Sequence, residues 1–249
     1  MATSEDNTLE QALRRAAAEP AERPAFYRLL LESTVYVIGT SDLPLGEGAA
    51  LQPGARVQVQ HWKKEDGSLV IPFFSSLRTL HQAVENEERY MALPGHILFE
   101  ATRGSTLVLN PVSDCGKEFF PNEIEALLSG GLTRPIEQRV VKQETQVLLG
   151  QPREYPTALV ESLGKLLARH GNVRAAYLTL MHDPSADPQP HLVIGLDIEG
   201  DIDAAMRETG AVAADILPGE PVDLFHVVPG DGGLSKYFLE SVPPFYKRA

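Results

Sequence analysis

The sequence predicts an α+β protein made of two tandem domains, each of them a mixture of helices and strands. The chain has 249 residues, and apolar cores usually divide into domains of about 100 to 150 residues. Its apolar fraction of 43% and charged fraction of 22% are those of an ordinary globular protein. Segments with a helical period alternate along the chain with short β-branched segments, separated by turns rich in glycine and proline.

Residues 1–23 are predicted to form an N-terminal helix. Thr8 and Gln11 have the spacing of a capping box, and the residues that follow, up to Ala18, are good helix formers. Pro20 ends the helix because proline cannot continue its hydrogen bonding.

The first full domain is predicted over residues 24–131. Pro24 suits the first turn of a helix, and Asp66-Gly67 is a strong hairpin signal. Ser75 or Ser76 caps the helix that follows the hairpin. The other expected elements are strands at 34–38, 57–59, 69–74 and 106–109, and helices at 77–84, 95–102 and 121–128.

Residues 132–144 are the predicted linker between the domains. This stretch is polar, carries Pro135 and follows Gly130-Gly131, a pair that ends the preceding helix. A strand over residues 136–141 is the alternative interpretation.

The second domain, residues 145–249, is predicted to be ferredoxin-like. Its elements follow the order βαββαβ and are succeeded by a short terminal helix. Pro156 begins the first helix and Asp201 caps the second. The expected strands are 145–149, 173–182, 191–198 and 222–228, and the terminal helix is 234–240.

A cytoplasmic location is expected. The longest apolar runs fall far short of the roughly 20 residues that cross a bilayer. Glu5, Asp6 and Glu10 stand where a secretion signal would place basic and apolar residues. Cys115 is the only cysteine, so no internal disulfide can form.

The charge of the chain predicts that neither nucleic acid nor a membrane surface is its partner. The formal net charge is −12. The largest basic clusters are the pairs Arg14-Arg15, Lys63-Lys64 and Lys247-Arg248, which read as solvated surface. Binding to phosphates or to anionic lipids needs a larger basic face.

Two sets of residues suggest chemistry but have simpler structural explanations. Cys115 would need a positioned base to act as a nucleophile, and nothing in the sequence brings His96 to it. His182, His191 and His226 invite a metal site, but the predicted topology places His226 too far from His182 to share an ion. A packed cysteine and packed histidines are therefore expected.

Two further segments are also expected to be structural. The carboxylates of Asp197, Glu199, Asp201 and Asp203 do not have EF-hand spacing, and the helix dipole favours acids at a helix start. Residues 229–233 lack both the Walker A lysine arrangement and the GxGxxG pattern, so they read as a turn whose glycines take positive φ.

Several blocks of the sequence resemble one protein family. They are FYRLLLESTVYVIG, DGSLVIPFFSSLRTL, LVLNPVSDCGKEFFPNEIEALL, YPTALVESLGKLL, VRAAYLTL, HLVIGLDI and PFYKR. They are similar to the SseB family of bacterial proteins, whose name refers to enhanced serine sensitivity. The resemblance implies an SseB-type N-terminal domain and an SseB-type C-terminal domain. No family motif assigns a nucleophile, an acid, a base or a ligand, so no catalytic residue is carried over.

An interaction surface is predicted on the second domain. Strand 173–182 is apolar on both faces, whereas a sheet with one solvated face alternates between apolar and polar residues. We therefore expect the second face to pack against the N-terminal domain, a second copy of the chain or another protein. Tyr177 and Thr179 are the candidate contacts, and Tyr177 is preferred because its ring offers a large area and a polar tip.

The functional expectation is a non-enzymatic, cytoplasmic binding or regulatory protein with a protein partner or a second copy of itself as its partner. GxSxG, HExxH and CxxC patterns do not occur. No catalytic, cofactor-binding or metal residue is assigned, and no cofactor is expected. The alternatives are a sensor of a small molecule such as an amino acid and an uncharacterised enzyme of amino-acid metabolism.

Overall fold

The computed structural model describes residues 7–42, 57–129, 147–182, 184 and 189–248. Contacts between Cα atoms divide the chain into two compact units, residues 1–131 and 132–249. Both units combine helices with a sheet, which confirms the predicted α+β class. The predicted linker, 132–144, and the alternative strand over residues 136–141 lie outside the described residues.

The described part of the N-terminal unit contains five α-helices and seven strands. The helices are α1 (Thr8–Ala18), α2 (Arg23–Glu32), α3 (Leu77–Ala83), α4 (Gly95–Ala101) and α5 (Pro121–Leu128). The strands are β1 (Thr34–Ser41), β2 (Val57–Val59), β3 (Trp62–Lys63), β4 (Leu69–Phe74), β5 (Tyr90–Pro94), β6 (Leu107–Leu109) and β7 (Lys117–Phe119).

These strands form one mixed sheet. Its main path runs β2-β1-β4-β6-β7, while β5 pairs with β1 and β3 pairs with β4. The pair β4 and β6 is parallel, and the other pairs are antiparallel. The hairpin predicted at Asp66-Gly67 is confirmed, since Trp62 on β3 lies opposite Val70 on β4.

The core of the N-terminal unit is rich in aromatic rings. Phe73, Phe99 and Phe119 are fully buried and contact one another, with ring centroids 5.3 to 6.0 Å apart. A smaller cluster of Ile38 and Phe74 packs under α3 on the other face of the sheet. Rings in tilted and edge-on contact stabilise a core beyond the effect of their buried area.

The cap of α1 differs from the prediction by one residue. Asn7, not Thr8, is the N-cap, and Glu10 is its partner in the capping box. The Asn7 side chain accepts a hydrogen bond from the Glu10 N–H at 2.8 Å, and the Asn7 N–H donates to the Glu10 carboxylate at 3.3 Å. The cap therefore fixes the position of the Glu10 side chain.

The described part of the C-terminal unit contains three α-helices and five strands. The helices are α6 (Thr157–Leu167), α7 (Asp203–Ile216) and α8 (Gly233–Ser241). The strands are β8 (Leu148–Gly150), β9 (Val173–His182), β10 (His191–Ile198), β11 (Val222–His226) and β12 (Tyr246–Lys247). Among all described helices α7 is the longest, at 14 residues, and none is long and apolar enough to span a membrane.

The element order of this unit matches the prediction up to α8, after which the structure adds β12, but its strand order does not match a ferredoxin-like sheet. The order is β11-β10-β9-β12, with β8 also paired to β9. In a ferredoxin-like sheet the last strand of the βαββαβ unit lies at the opposite edge from the second, whereas here only β10 separates β11 from β9. The sequence pattern identifies the elements, but pairing between distant segments decides which strands are neighbours.

Helices cover both faces of the second sheet. α6 and α7 pack against each other and α7 contacts β11, while Leu178 and Ile194, on the face of the sheet opposite Tyr177, are buried. On the other face Phe238 of α8 lies over Gly195, where an added Cβ would be 2.9 Å from the Phe238 ring and from Val227. The absence of a side chain at Gly195 therefore lets α8 approach the sheet.

Candidate functional site

A polar cleft of about 300 Å³ opens on the N-terminal unit. Its walls are α1, α3 and the loop of residues 110–116 that joins β6 to β7. The lining residues are Glu10, Leu13, Arg14, Arg78, Thr79, Gln82, Asn110, Val112, Ser113, Asp114 and Cys115. The cleft lies at the carboxyl ends of the parallel strands β4 and β6, because α3 and the loop directly follow those strands.

The buried carboxylate of Glu10 anchors the floor of the cleft. Oε1 accepts hydrogen bonds from the hydroxyls of Ser75 and Ser76, both at 2.8 Å. Oε2 accepts from the Arg78 guanidinium and from the Asn7 N–H. A buried carboxylate is stable only when it is paired and hydrogen-bonded, and here both oxygens are satisfied by donors from α1 and the β4–α3 junction.

Asn110 links this network to the loop. Its side-chain oxygen accepts from the Ser75 N–H at 3.0 Å, and its amide nitrogen donates to the Ser75 hydroxyl at 2.9 Å. Its backbone has φ +50°, a left-handed conformation that asparagine tolerates better than most residues. The Asn110 carbonyl leaves no space for a Cβ at Gly116, so the two ends of the loop approach closely.

The mouth of the cleft carries an ion pair. The Arg14 guanidinium donates to both carboxylate oxygens of Asp114, at 2.7 and 2.9 Å. The Asp114 side chain is 73% exposed. The hydrogen bond from Arg14 lowers the pKa of Asp114, and the charges of Arg14 and Arg78 act in the same direction. Two guanidinium groups therefore face one exposed carboxylate at the opening.

Hydrogen bonds also fix α3 and the loop of residues 110–116, and one apolar side chain lies at the rim of the cleft. Thr79 belongs to the capping box of α3, with Ser76 as N-cap. The Ser113 hydroxyl accepts from the Cys115 N–H at 3.2 Å and donates to the Cys115 carbonyl at 2.7 Å. Val112 is 56% exposed at the rim. The cleft is preformed, with an aliphatic side chain beside its charged mouth.

The cysteine considered from the sequence lies in this wall. Cys115 is half-buried, and no histidine occurs among the described residues that line the cleft. His96 lies on α4, where its Nδ1 is 3.0 Å from the carbonyl oxygen of Leu31.

The three histidines considered from the sequence, His182, His191 and His226, do not converge. His226 on β11 and Ala176 on β9 both lie level with Leu196. His182 is six residues further along β9 than Ala176, which is roughly 20 Å. His191 instead contacts Asp223 at 2.9 Å. Across the described ranges no group of three or more His, Cys, Asp or Glu side chains is arranged to hold a metal ion.

The acidic run that begins in β10 at Asp197 and continues to Asp203 has structural partners. Asp197 and Glu199 both pair with Arg174, at 2.6 and 3.2 Å, and Glu199 also pairs with Arg248 at 3.1 Å. Asp201 accepts from the Asp203 N–H at 2.9 Å. The expected turn at 229–233 is confirmed, since Gly230 and Gly233 have positive φ.

Tyr177 and Thr179, the predicted interaction surface, are both buried in the second unit. Tyr177 is 7% exposed and its ring lies 5.8 Å from that of Phe238. Thr179 is fully buried and donates to the Gly150 carbonyl at 2.8 Å. The prediction that this face awaits a partner is corrected, because the terminal helix α8 and strand β8 of the same unit contact these two side chains.

Comparison with known proteins identifies the family. The model of the SseB N-terminal domain matches residues 9–126, and that of the SseB C-terminal domain matches residues 141–248. Protein SseB of Escherichia coli strain K12 is 42% identical over 244 residues, which cover 97% of this chain and 92% of the relative. This chain belongs to the SseB family. Protein SseB of Shigella flexneri has the same identity and coverage. No solved structure matches the chain.

Sequence reasoning did not find the cleft in this SseB-family chain. The sequence pattern indicates solvated surface for Arg14 and caps for Ser75 and Ser76, and it gives no role to Asn110 or Asp114. A signal was present, since Ser75 and Asn110 each follow a buried apolar strand directly. That signal identifies a site only when β4 and β6 are known to be parallel neighbours, so that their carboxyl ends meet.

Proposed function

We propose that this SseB-family protein is a non-enzymatic binding protein that regulates a protein partner through the cleft of its N-terminal unit. The observation that carries the proposal is the position of the cleft at the carboxyl ends of β4 and β6. Ligands of open α/β sheets bind outside the carboxyl ends of their parallel strands. The side chains there are oriented by a hydrogen-bond network instead of being free to move.

The same network favours binding over catalysis. A general base must have an oxygen or nitrogen within reach of the proton it abstracts. The oxygens of Glu10 are occupied by Ser75, Ser76, Arg78 and the Asn7 N–H. Such a carboxylate holds its neighbours in place and is poorly suited to exchange protons with a substrate.

The exposed side chains at the mouth of the cleft favour a protein as the partner. Asp114 and Val112 project from a loop fixed at both ends by Asn110 and Gly116. Binding residues often lie on loops positioned by a rigid scaffold, and a preformed loop loses little conformational entropy on association.

Affinity capture from the native cell tests this function. Val112→Asp places a charge at the rim without removing a hydrogen bond and should abolish recovery of the partner. Leu69→Asp is the matched control, since Leu69 is a similarly exposed aliphatic side chain, 60% exposed, that does not line the cleft. Equal recovery with both variants would contradict the proposal.

A sensor of amino acids is the second candidate, favoured by the size and charge of the cleft. A volume of about 300 Å³ is at the small end of ligand sites. Arg14 and Asp114, which pair with each other at the mouth, carry the two opposite charges that a zwitterion also carries. A ligand at 100 times its Kd stabilises a protein by about 2.7 kcal/mol, so a melting-temperature screen with the individual amino acids should detect it.

We also propose that the protein acts in the cytoplasm and contacts neither nucleic acid nor membranes. A single cysteine suits a reducing compartment. The net charge of −12 repels phosphate backbones and anionic lipids. Measurable affinity for an oligonucleotide at physiological salt would contradict the second part of this proposal.

A further inference from the structure

We infer that β11 is a dimerisation strand, which pairs antiparallel with β11 of a second copy of this chain. The pairing joins the C-terminal sheets of the two copies into one continuous sheet. The inference goes beyond the proposed function, because it assigns an interface to the C-terminal unit and makes no use of the cleft.

β11 is an open edge of its sheet. Among the described strands it pairs with β10 alone. All five of its residues are half-buried, whereas seven of the eight residues of β10 are buried. α7 contacts β11, and the Phe238 ring of α8 stacks on the ring of Phe225. The exposure that remains therefore lies along the edge of the strand.

The hydrogen bonds to β10 identify the backbone groups that face this edge. The Val227 N–H donates to the Leu196 carbonyl at 2.8 Å. Alternate residues of a strand direct their N–H and carbonyl groups to opposite sides, so Val222, Leu224 and His226 direct theirs away from β10. Within the described ranges, no backbone group hydrogen-bonds to these three residues from the outer side. They offer a row of donors and acceptors to another strand.

Most of the described edge strands are protected against pairing with a second chain, but β11 is not. Natural proteins protect edges with short strands, proline or charged side chains, above all lysine. The other described edge strands have two or three residues, except β5, which ends at Pro94. β11 has five residues and contains neither proline nor lysine. Its acidic residue, Asp223, contacts His191 of its own sheet at 2.9 Å.

One register of the antiparallel pair uses every outward-facing residue of β11. When Leu224 lies opposite Leu224 of the second copy, Val222 lies opposite His226 of that copy. All three outward-facing residues then belong to hydrogen-bonded pairs, in which the two partners exchange both bonds. The arrangement has a two-fold axis at Leu224, so it is closed and the assembly stops at a dimer.

The neighbouring registers are less favourable. A shift by two residues brings Glu220 or Val228 into the ladder. Their N–H groups already donate within the unit, to a carbonyl and to a hydroxyl, at 3.2 and 3.1 Å. The shift toward Glu220 also places Asp223 opposite its own copy, and like charges directly opposite are destabilising. The strand is therefore complementary to itself in the register centred on Leu224.

Sedimentation of the full chain up to submillimolar concentration tests the dimer. The wild-type chain should reach a monomer–dimer equilibrium. Leu224→Pro removes an outward-facing N–H and keeps the ladder to β10, a position at which edge strands tolerate proline. Because one hydrogen bond is lost from each copy, the dissociation constant of the dimer should rise about 10-fold or more.

Ala92→Pro is the matched control. It makes the same change on β5, the other edge strand of five residues. The Gly39 N–H donates to the Arg89 carbonyl at 2.8 Å, so Ala92, three residues further on, faces away from β1. This variant should dimerise like the wild-type chain.

Three results would overturn the inference. They are a wild-type chain that stays monomeric, assemblies that grow beyond the dimer, and equal effects of Leu224→Pro and Ala92→Pro. A monomeric chain from which Leu224→Pro removes a captured protein would show that the edge accepts a strand of that protein instead of a second copy.

Disulfide cross-linking tests the register without a proline. The variants Leu224→Cys and Val222→Cys, each combined with Cys115→Ala, carry one thiol on the same face of β11. Opposite residues of a hydrogen-bonded pair lie about 5.5 Å apart between Cα atoms, which a disulfide can span. Leu224→Cys should therefore form a covalent dimer on mild oxidation. Val222→Cys should not, since it lies about 14 Å from its own copy along the strand. Absence of the Leu224→Cys cross-link, or equal cross-linking of both variants, would contradict the pairing.

Discussion

The two units each contain a parallel pair of neighbouring strands, β4 with β6 and β10 with β11, but they treat the carboxyl ends of those pairs differently. In the first unit the strands lead into Ser75 and Asn110, and a cleft remains open beyond them. In the second, Asp197 at the end of β10 and Glu199 just after it form ion pairs with Arg174, and the chain after β11 continues through the fully buried Val227 into α8.

This difference shows that a cleft can form at the carboxyl ends of two parallel strands. Whether the cleft stays open depends on the residues that follow those strands. In the second sheet, the additional apolar face packs against helix α8 of the same unit, because Phe238 lies between Tyr177 and Phe225. In the first sheet, polar side chains surround the buried carboxylate of Glu10 at the carboxyl ends of β4 and β6. The apolar pattern of the sequence therefore indicates the face of β9 that α8 covers (the closed region) and gives no sign of the cleft in the first unit (the open region).

The largest effect is expected from Phe238→Ala, which removes the ring that closes the second sheet. Loss of a fully buried phenylalanine costs about 3 to 5 kcal/mol. Chemical denaturation should show this loss, and binding of an apolar dye should rise as Tyr177 is uncovered. A variant with wild-type stability would show that α8 does not hold this face.

Glu10→Ala should instead destabilise the first unit around the cleft. It takes one acceptor away from Ser75, Ser76 and Arg78, and it removes the half of the α1 capping box in which the Asn7 N–H donates to the Glu10 carboxylate. The two effects together cost about 2 to 4 kcal/mol. Hydrogen exchange should locate the loss at α1 and the β4–α3 junction. An effect confined to the second unit would contradict this account of the network.

A pair of glycine substitutions tests how tightly the second region is closed. An added Cβ at Gly195 would lie 2.9 Å from both Phe238 and Val227, so Gly195→Ala should cost about 1 to 3 kcal/mol. Gly164 lies inside α6 with nothing within 4 Å of an added Cβ. Gly164→Ala should stabilise by about 1 kcal/mol, and equal effects of the two changes would refute the close packing of α8.

The smallest effect is expected from Cys115→Ala. Two hydrogen bonds that hold the loop at this position use the backbone N–H and carbonyl of Cys115, which alanine keeps. The unfolding free energy should change by less than about 1 kcal/mol, and capture of the partner should be retained. Loss of binding in a folded variant would give the thiol a functional role.

Most secondary structure was predictable because it depends on local signals. The hairpin at Asp66-Gly67 and the helix capped by Ser76 were identified from such signals. Strands β5 and β7 were not predicted. The second of them, Lys117–Phe119, is short and mostly charged, and it is a strand because it pairs with β6. The strand order of the second unit was also missed, because pairing between distant segments leaves no local mark.

The candidate site was less predictable than the fold. Glu10, Arg78 and Asn110 are separated by 32 to 100 positions in the sequence and meet only after the first unit folds. The buried role of Glu10 depends on Ser75 and Ser76, whose hydroxyls serve both the cap of α3 and the carboxylate. No spacing rule connects such residues.

Hydrogen–deuterium exchange of the full chain, with and without the captured partner, tests most directly whether the open region is the binding site. Residues 76–82 and 110–116 should become protected when the partner binds, while β9 and α8 should exchange as before. Protection of β9 and α8 with an unchanged cleft would contradict the account and return the interaction surface to Tyr177.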